Sequence, residues 1–148
     1  MNRKEVKQKA VDYLTNQIQI TQKHITDLAT DAQNDAKSSA GDKHETGLAM
    51  MHLEQEKLNV KLSELINMLQ QAQKLPEVKQ MDKVTLGSVI KTDKAIFYVS
   101  VAIPALKVQN QTVICISPVA PLMQVLQNGK QGDEIVFNKI SYQIQQIF

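Results

Sequence analysis

From Val6 to Asp35 neither proline nor glycine interrupts the chain, and its apolar residues fall on a heptad. Val11, Ile18, Ile25 and Ala32 take one seam position, and Leu14, Thr21 and Leu28 take the other. A second stretch repeats the pattern, with Leu48, Gln55, Leu62 and Leu69 alternating with Met51, Leu58, Leu65 and Ala72. Lys, Glu, Gln and Asn fill the positions between, as expected of solvated faces. A single such helix leaves its apolar stripe wet, so the two must pair. The expected product is an antiparallel coiled-coil hairpin over residues 1–75, with its tip at about 36–47. At about 1.5 Å per residue each arm is roughly 40–45 Å long, a rod rather than a compact bundle.

Helical patterning stops at "KLPEVKQMDK", because Pro76 lacks an amide proton and its ring clashes with the preceding turn. Residues 76–83 read as a linker. From Val84 the period moves toward two. "VTLGSVI", "AIFYVSVAI", "QTVICIS", "DEIVFN" and "ISYQIQQIF" are rich in the branched and aromatic residues that suit strands. In the last of these Ile140, Tyr142 and Ile144 share one face, and Ser141, Gln143 and Gln145 the other. Asn138-Lys139 is the expected tight turn before it. "PVAPLMQVLQ" suits one short helix stopped by Asn128-Gly129. The fold class is therefore α+β: a helical hairpin, then a small antiparallel sheet over residues 84–148 with one helix on a face.

Charge excludes some functions. With 17 basic and 15 acidic residues the net charge is +2, which indicates neither a polybasic nucleic-acid binder nor an acidic tail. The longest apolar runs are too short to span a bilayer, and "MNRKEVKQKAVDYL" lacks the apolar centre of a signal peptide. Cys115 lies in the apolar run "VICIS", where a small buried hydrophobe is expected. A single cysteine fits a reduced, cytoplasmic setting. His24, His44, His52 and Cys115 have no zinc-site spacing, so no metal held by this chain alone is expected. The hairpin closes its own seam, which predicts a monomer.

One stretch asks for a function. In "SSAGDKHETGLAMM", residues 38–51, a hairpin tip carries Asp42 and Glu45, with Lys43 and His44 between them. Asp-x-x-Glu before an apolar run is a helix capping box, Asp42 accepting an amide and Glu45 reaching back. Why a tip should present two carboxylates with a lysine and a histidine between them is a question the local pattern leaves open.

The C-terminal half carries a resemblance. Ser117, Pro118, Ala120, Leu126, Gly129, Lys130, Gly132, Asp133, Tyr142 and Ile144 follow one another in the order and spacing of the C-terminal domain of the bacterial transcript cleavage factors, the GreA/GreB family. "LGS" at 86–88 is similar to that domain's opening strand, and Gly41, Asp42 and Glu45 match the family's tip motif. The resemblance spans nearly the whole chain. It implies an FKBP-like C-terminal domain that docks through Ser117 and Pro118 at the rim of the RNA polymerase secondary channel, with no membrane contact. It implies that Asp42 and Glu45 complete a shared Mg²⁺ site in the polymerase, acting in trans on the backtracked RNA 3′ end, so that the chain activates the polymerase's own hydrolysis without being an enzyme. Departures are visible: Lys43 and His44 inside the tip, Gly47-Leu48-Ala49 after it, and Ile116 where an acidic residue commonly precedes Ser-Pro. They leave open a polymerase-binding regulator of the same fold without cleavage activity. An FKBP-type isomerase pocket needs aromatic lining, and the chain has no Trp, three Phe and three Tyr.

Overall fold

The computed structural model describes residues 1–37, 42–77 and 81–148, and of residues 35–37 and 42–44 the backbone alone. Two long helices come first, α1 (Arg3–Lys37) and α2 (Asp42–Gln73). Asn2 opens α1 by accepting the Glu5 amide on its side-chain oxygen at 2.8 Å, satisfying one of the orphan donors of the first turn. The helices run antiparallel. Lys7 near the start of α1 meets the end of α2, and Ala29, Ala32 and Gln33 border one cavity with Leu48, His52 and Gln55. Every described seam residue named above is buried or half-buried. Thr21, the polar member of the seam, is buried and donates its hydroxyl to the Gln17 carbonyl at 2.8 Å. That bond removes the desolvation cost of placing a hydroxyl there.

Six strands follow in one sheet, in the order β3-β4-β2-β1-β6-β5. They are β1 (Val89–Thr92), β2 (Ile96–Val99), β3 (Leu106–Val108), β4 (Gln111–Ile116), β5 (Glu134–Phe137) and β6 (Ile140–Ile147). The expectation of an antiparallel sheet is corrected: β2 and β4 pair in parallel, Tyr98 beside Cys115, while the other pairs are antiparallel. The cause is β3, which the sequence pattern does not reveal. Chain leaving β2 runs out to the edge, forms β3, and returns through Gln109-Asn110 as β4. Both turn residues take positive φ, 50° and 62°, as does the Asn138-Lys139 turn between β5 and β6 at 51° and 65°. Such paired left-handed residues match the twist of the flanking strands.

One face of the sheet and the short helix α3 (Met123–Leu126) enclose a core of Val84, Ile90, Phe97, Val99, Leu122, Met123, Leu126, Ile135 and Ile144. Phe97 meets Tyr142 edge-on, with ring centroids 5.7 Å apart. Helix α3 is shorter than the apolar pattern predicts, because Pro118 and Pro121 hold the preceding residues in single turns. Asn128 ends it at φ 65°. The opposite face carries Val89, Tyr98, Val113 and Cys115, all buried. The first turns of α1 cover it: Arg3 acts electrostatically on the Tyr98 hydroxyl, and Glu5 accepts a hydrogen bond from Gln109 at 2.7 Å.

By internal contacts the chain forms two units. One contains Met1–Asp12 with Gln70–Phe148, the other Tyr13–Leu69. Lys7 ties the first together. Its ammonium donates to the carbonyls of Gln73 and Leu75 at 2.7 and 2.8 Å and pairs with Glu77 at 2.9 Å. A cation at a helix C-terminus satisfies carbonyls that have no intrahelical partner.

Candidate functional site

Two sets of residues were expected to act, and each belongs to a different unit. Asp42, Lys43, His44 and Glu45 form the first turn of α2, separated from the end of α1 by residues 38–41 alone. Asp42 and Glu45 are therefore brought into one turn, where negative charge is favoured by the helix dipole. Glu45 is exposed. The side chains of Asp42, Lys43 and His44, and Gly41 entirely, lie outside the described residues. The cap geometry expected of Asp42 lies outside them too.

Ser117 and Pro118 occupy the loop between β4 and α3. The Ser117 hydroxyl accepts the Val119 amide at 3.2 Å, and its carbonyl accepts that of Ala120 at 3.0 Å. These bonds close a tight turn with Pro118 at its corner, a position that suits its fixed φ. Val119 is thereby pushed outward, 88% exposed.

Pro118 lines a mainly apolar groove of about 350 Å³ with Gln71, Lys74, Leu75, Pro76, Leu86, Ser100 and Val101. A neighbouring depression of about 490 Å³ shares Pro76 and Leu86 and adds Met81, Asp82, Lys83, Thr85 and Lys130. Leu86 is 48% exposed between them. Three lysines, 74, 83 and 130, thus flank an apolar strip. Sequence reasoning missed Lys74, Pro76 and Leu86 as members of a surface. Its one signal was "LGS", whose glycine explains the local shape. Gly87 has φ +87°, and a Cβ there would lie 2.8 Å from Pro76 Cδ, so only glycine lets Pro76 pack on the turn that precedes β1.

The remaining motif residues build the fold rather than a reactive centre. A Cβ on Gly129 would meet the Ile144 side chain and the Leu126 carbonyl at 3.0 Å. The Asp133 carboxylate accepts the Lys130 amide at 2.8 Å, and Gly132 turns the chain at φ +94°. Tyr142 packs on Phe97. Cys115 is buried, and that burial pushes its thiol up to about 12, with a smaller opposing effect from a Ser100 hydrogen bond. At neutral pH it stays a thiol, the inert state of a structural cysteine. Among the described residues no group of three or more His, Cys, Asp and Glu stands together as a metal site. No described helix is long and apolar enough to cross a membrane.

No family model and no curated protein matches the chain. Among solved structures, that of the transcription factor Gfh1 matches over 94% of this chain and 93% of that chain, at 16% identity and a TM-score of 0.39. A likeness of that degree identifies neither a family nor an activity.

Proposed function

We propose that the chain is a divergent GreA/GreB-type factor that binds bacterial RNA polymerase at its secondary channel and stimulates Mg²⁺-dependent cleavage of backtracked RNA. The observation that carries this reading is the placement of Asp42 and Glu45 in one helical turn, beside the short connection between two antiparallel helices. The ordered Ser117-to-Ile144 motif in the sheet unit supports it independently. In this reading residues 1–75 are the hairpin, 76–83 the linker, and 84–148 an FKBP-like docking domain. The groove around Pro118 and Leu86 receives the polymerase rim.

Carboxylate oxygens suit Mg²⁺, which is commonly held by one or two of them together with phosphate oxygens and waters. Asp42 is assigned as a direct or water-mediated ligand, and Glu45 as the group that positions metal or water. The polymerase would supply the other metal and the remaining ligands, and the metals when bound would supply the polarisation of an attacking water and of the leaving oxygen. The factor itself is no enzyme.

A second reading has its own observation. Lys43 and His44 stand between the carboxylates, and Ile116 replaces the acidic residue before Ser-Pro. These favour a channel-occupying regulator that acts sterically. Backtracked elongation complexes supplied with Mg²⁺ separate the two. Short 3′ RNA fragments that disappear with Asp42→Ala and Glu45→Ala, while polymerase binding persists, support cleavage. Binding without fragments supports the regulator, and absence of binding removes both.

A further inference from the structure

The seam between α1 and α2 changes character along its length. Within residues 13–69 its buried members are Leu14 and Thr21 on α1, and Leu58 and Leu65 on α2. Past Thr21 and Leu58, toward the connection between the helices, none of the described side chains is buried. Ile25, Leu28, Ala32, Leu48, Met51 and Gln55 hold the seam there, each only half-buried. Ala32 offers one methyl group, and Gln55 a polar amide. Together with Ala29, Gln33, Leu48 and His52, Ala32 also borders a gap of about 340 Å³, which Gln55 closes on the far side. Such a gap forfeits the dispersion contacts that a filled seam makes.

The helices are weak in the same stretch. Thr26 and Thr30 donate their hydroxyls to the carbonyls of Gln22 and Thr26 at 3.1 Å, bonds that slightly destabilise a helix. Gly47 adds the entropic cost of a glycine inside α2. Without a packed face, helices shorter than about 12–15 residues are marginal in water, and these arms are little longer. We infer that residues 22–37 and 42–57 open and re-form as one unit while the rest of the helix pair stays folded. Neither arm keeps its helix once the other leaves, because the shared half-buried stripe is what holds both. Asp42 and Glu45 share one helical turn only while this segment is closed, so its closure governs when the two acids are presented together. The use of that control rests on the function proposed above; the opening does not.

Native-state hydrogen exchange of the full-length chain in increasing urea tests this without any partner. Amides of residues 26–34 and 48–57 are expected to exchange at least about tenfold faster than those of 14–21 and 58–69. They share one urea slope, above zero and below that of global unfolding. Leu65→Ala leaves a cavity in the tightly packed part of the seam. It speeds exchange at 14–21 and 58–69 by about thirtyfold and leaves 26–34 and 48–57 unchanged. Leu65→Val repeats the test with a smaller cavity, and circular dichroism checks that each variant keeps its helices. Ala32→Leu, which adds apolar volume beside the gap, slows 26–34 and 48–57 by about fivefold. Exchange there without urea dependence overturns the inference, because the arms would then fray residue by residue. One rate and one slope across both groups overturns it too, as does a Leu65 variant that speeds both groups equally.

Discussion

The helix pair and the sheet bury their apolar residues in different ways. In residues 13–69 the described side chains that are buried are Leu14, Thr21, Leu58 and Leu65, and most of the seam is only half-buried. In the sheet unit one face alone encloses nine buried hydrophobics in a continuous cluster. Helices satisfy their backbone locally and need only one stripe covered, whereas strands gain nothing until distant segments meet. The difference teaches that a narrow helix pair presents surface at the expense of core. Global stability therefore resides in the unit built from residues 1–12 and 70–148.

Paired truncations break or sustain this contrast most forcefully. Ile90→Ala, in the sheet core, is expected to cost about 2–5 kcal/mol in urea unfolding, and Ile25→Ala, in the half-buried seam, about 1–2 kcal/mol. Equal losses would contradict it. Gly87→Ala follows at about 2–3 kcal/mol, since a positive φ and contact with Pro76 both oppose a Cβ. Lys7→Met is expected to cost about 2 kcal/mol, because the carbonyls of Gln73 and Leu75 lose a charged donor. If the helices were held mainly by their seam, this loss would be near zero.

The helix pair, conversely, has room to gain. Gly47 lies in α2, and nothing stands within 4 Å of the position an alanine methyl would take there. Gly47→Ala should therefore raise stability by about 0.5–1 kcal/mol. Thermal unfolding followed by far-ultraviolet circular dichroism reads that gain. The smallest effect is titration of Glu77. Its hydrogen bond to Lys7, then the Lys7 charge, holds its carboxyl below the usual value. The pair's contribution is therefore complete above the unfolded-state carboxylate range and is lost as pH falls through the lowered folded value. Glu77→Gln should flatten that acidic limb slightly, and a variant with an unchanged pH profile would assign the limb to other carboxylates.

Much of the helix pair was legible because heptad periodicity is local: seven-residue spacing fixes which side chains meet without knowledge of anything distant. The strands were legible as strands for the same reason. Their directions were not, since alternation records which face a residue takes and is blind to chain sense. Three-residue β3 follows Pro104 and is too short for alternation to register, and with it went the parallel pairing of β2 and β4. At the candidate site, Pro118 was visible as a motif residue, but its neighbours Leu86, Pro76 and Lys74 come from separate stretches that only folding brings together. Asp42 and Glu45 were visible as a spacing, and the first turn of α2 is where that spacing lands.

Equilibrium binding of the full-length chain to purified bacterial core RNA polymerase tests the central claim most directly. Saturable one-to-one binding, weakened when Val119→Arg places a charge on the exposed corner of the Ser117-Pro118 turn, is the predicted result. No saturable binding at any concentration the chain tolerates would contradict it.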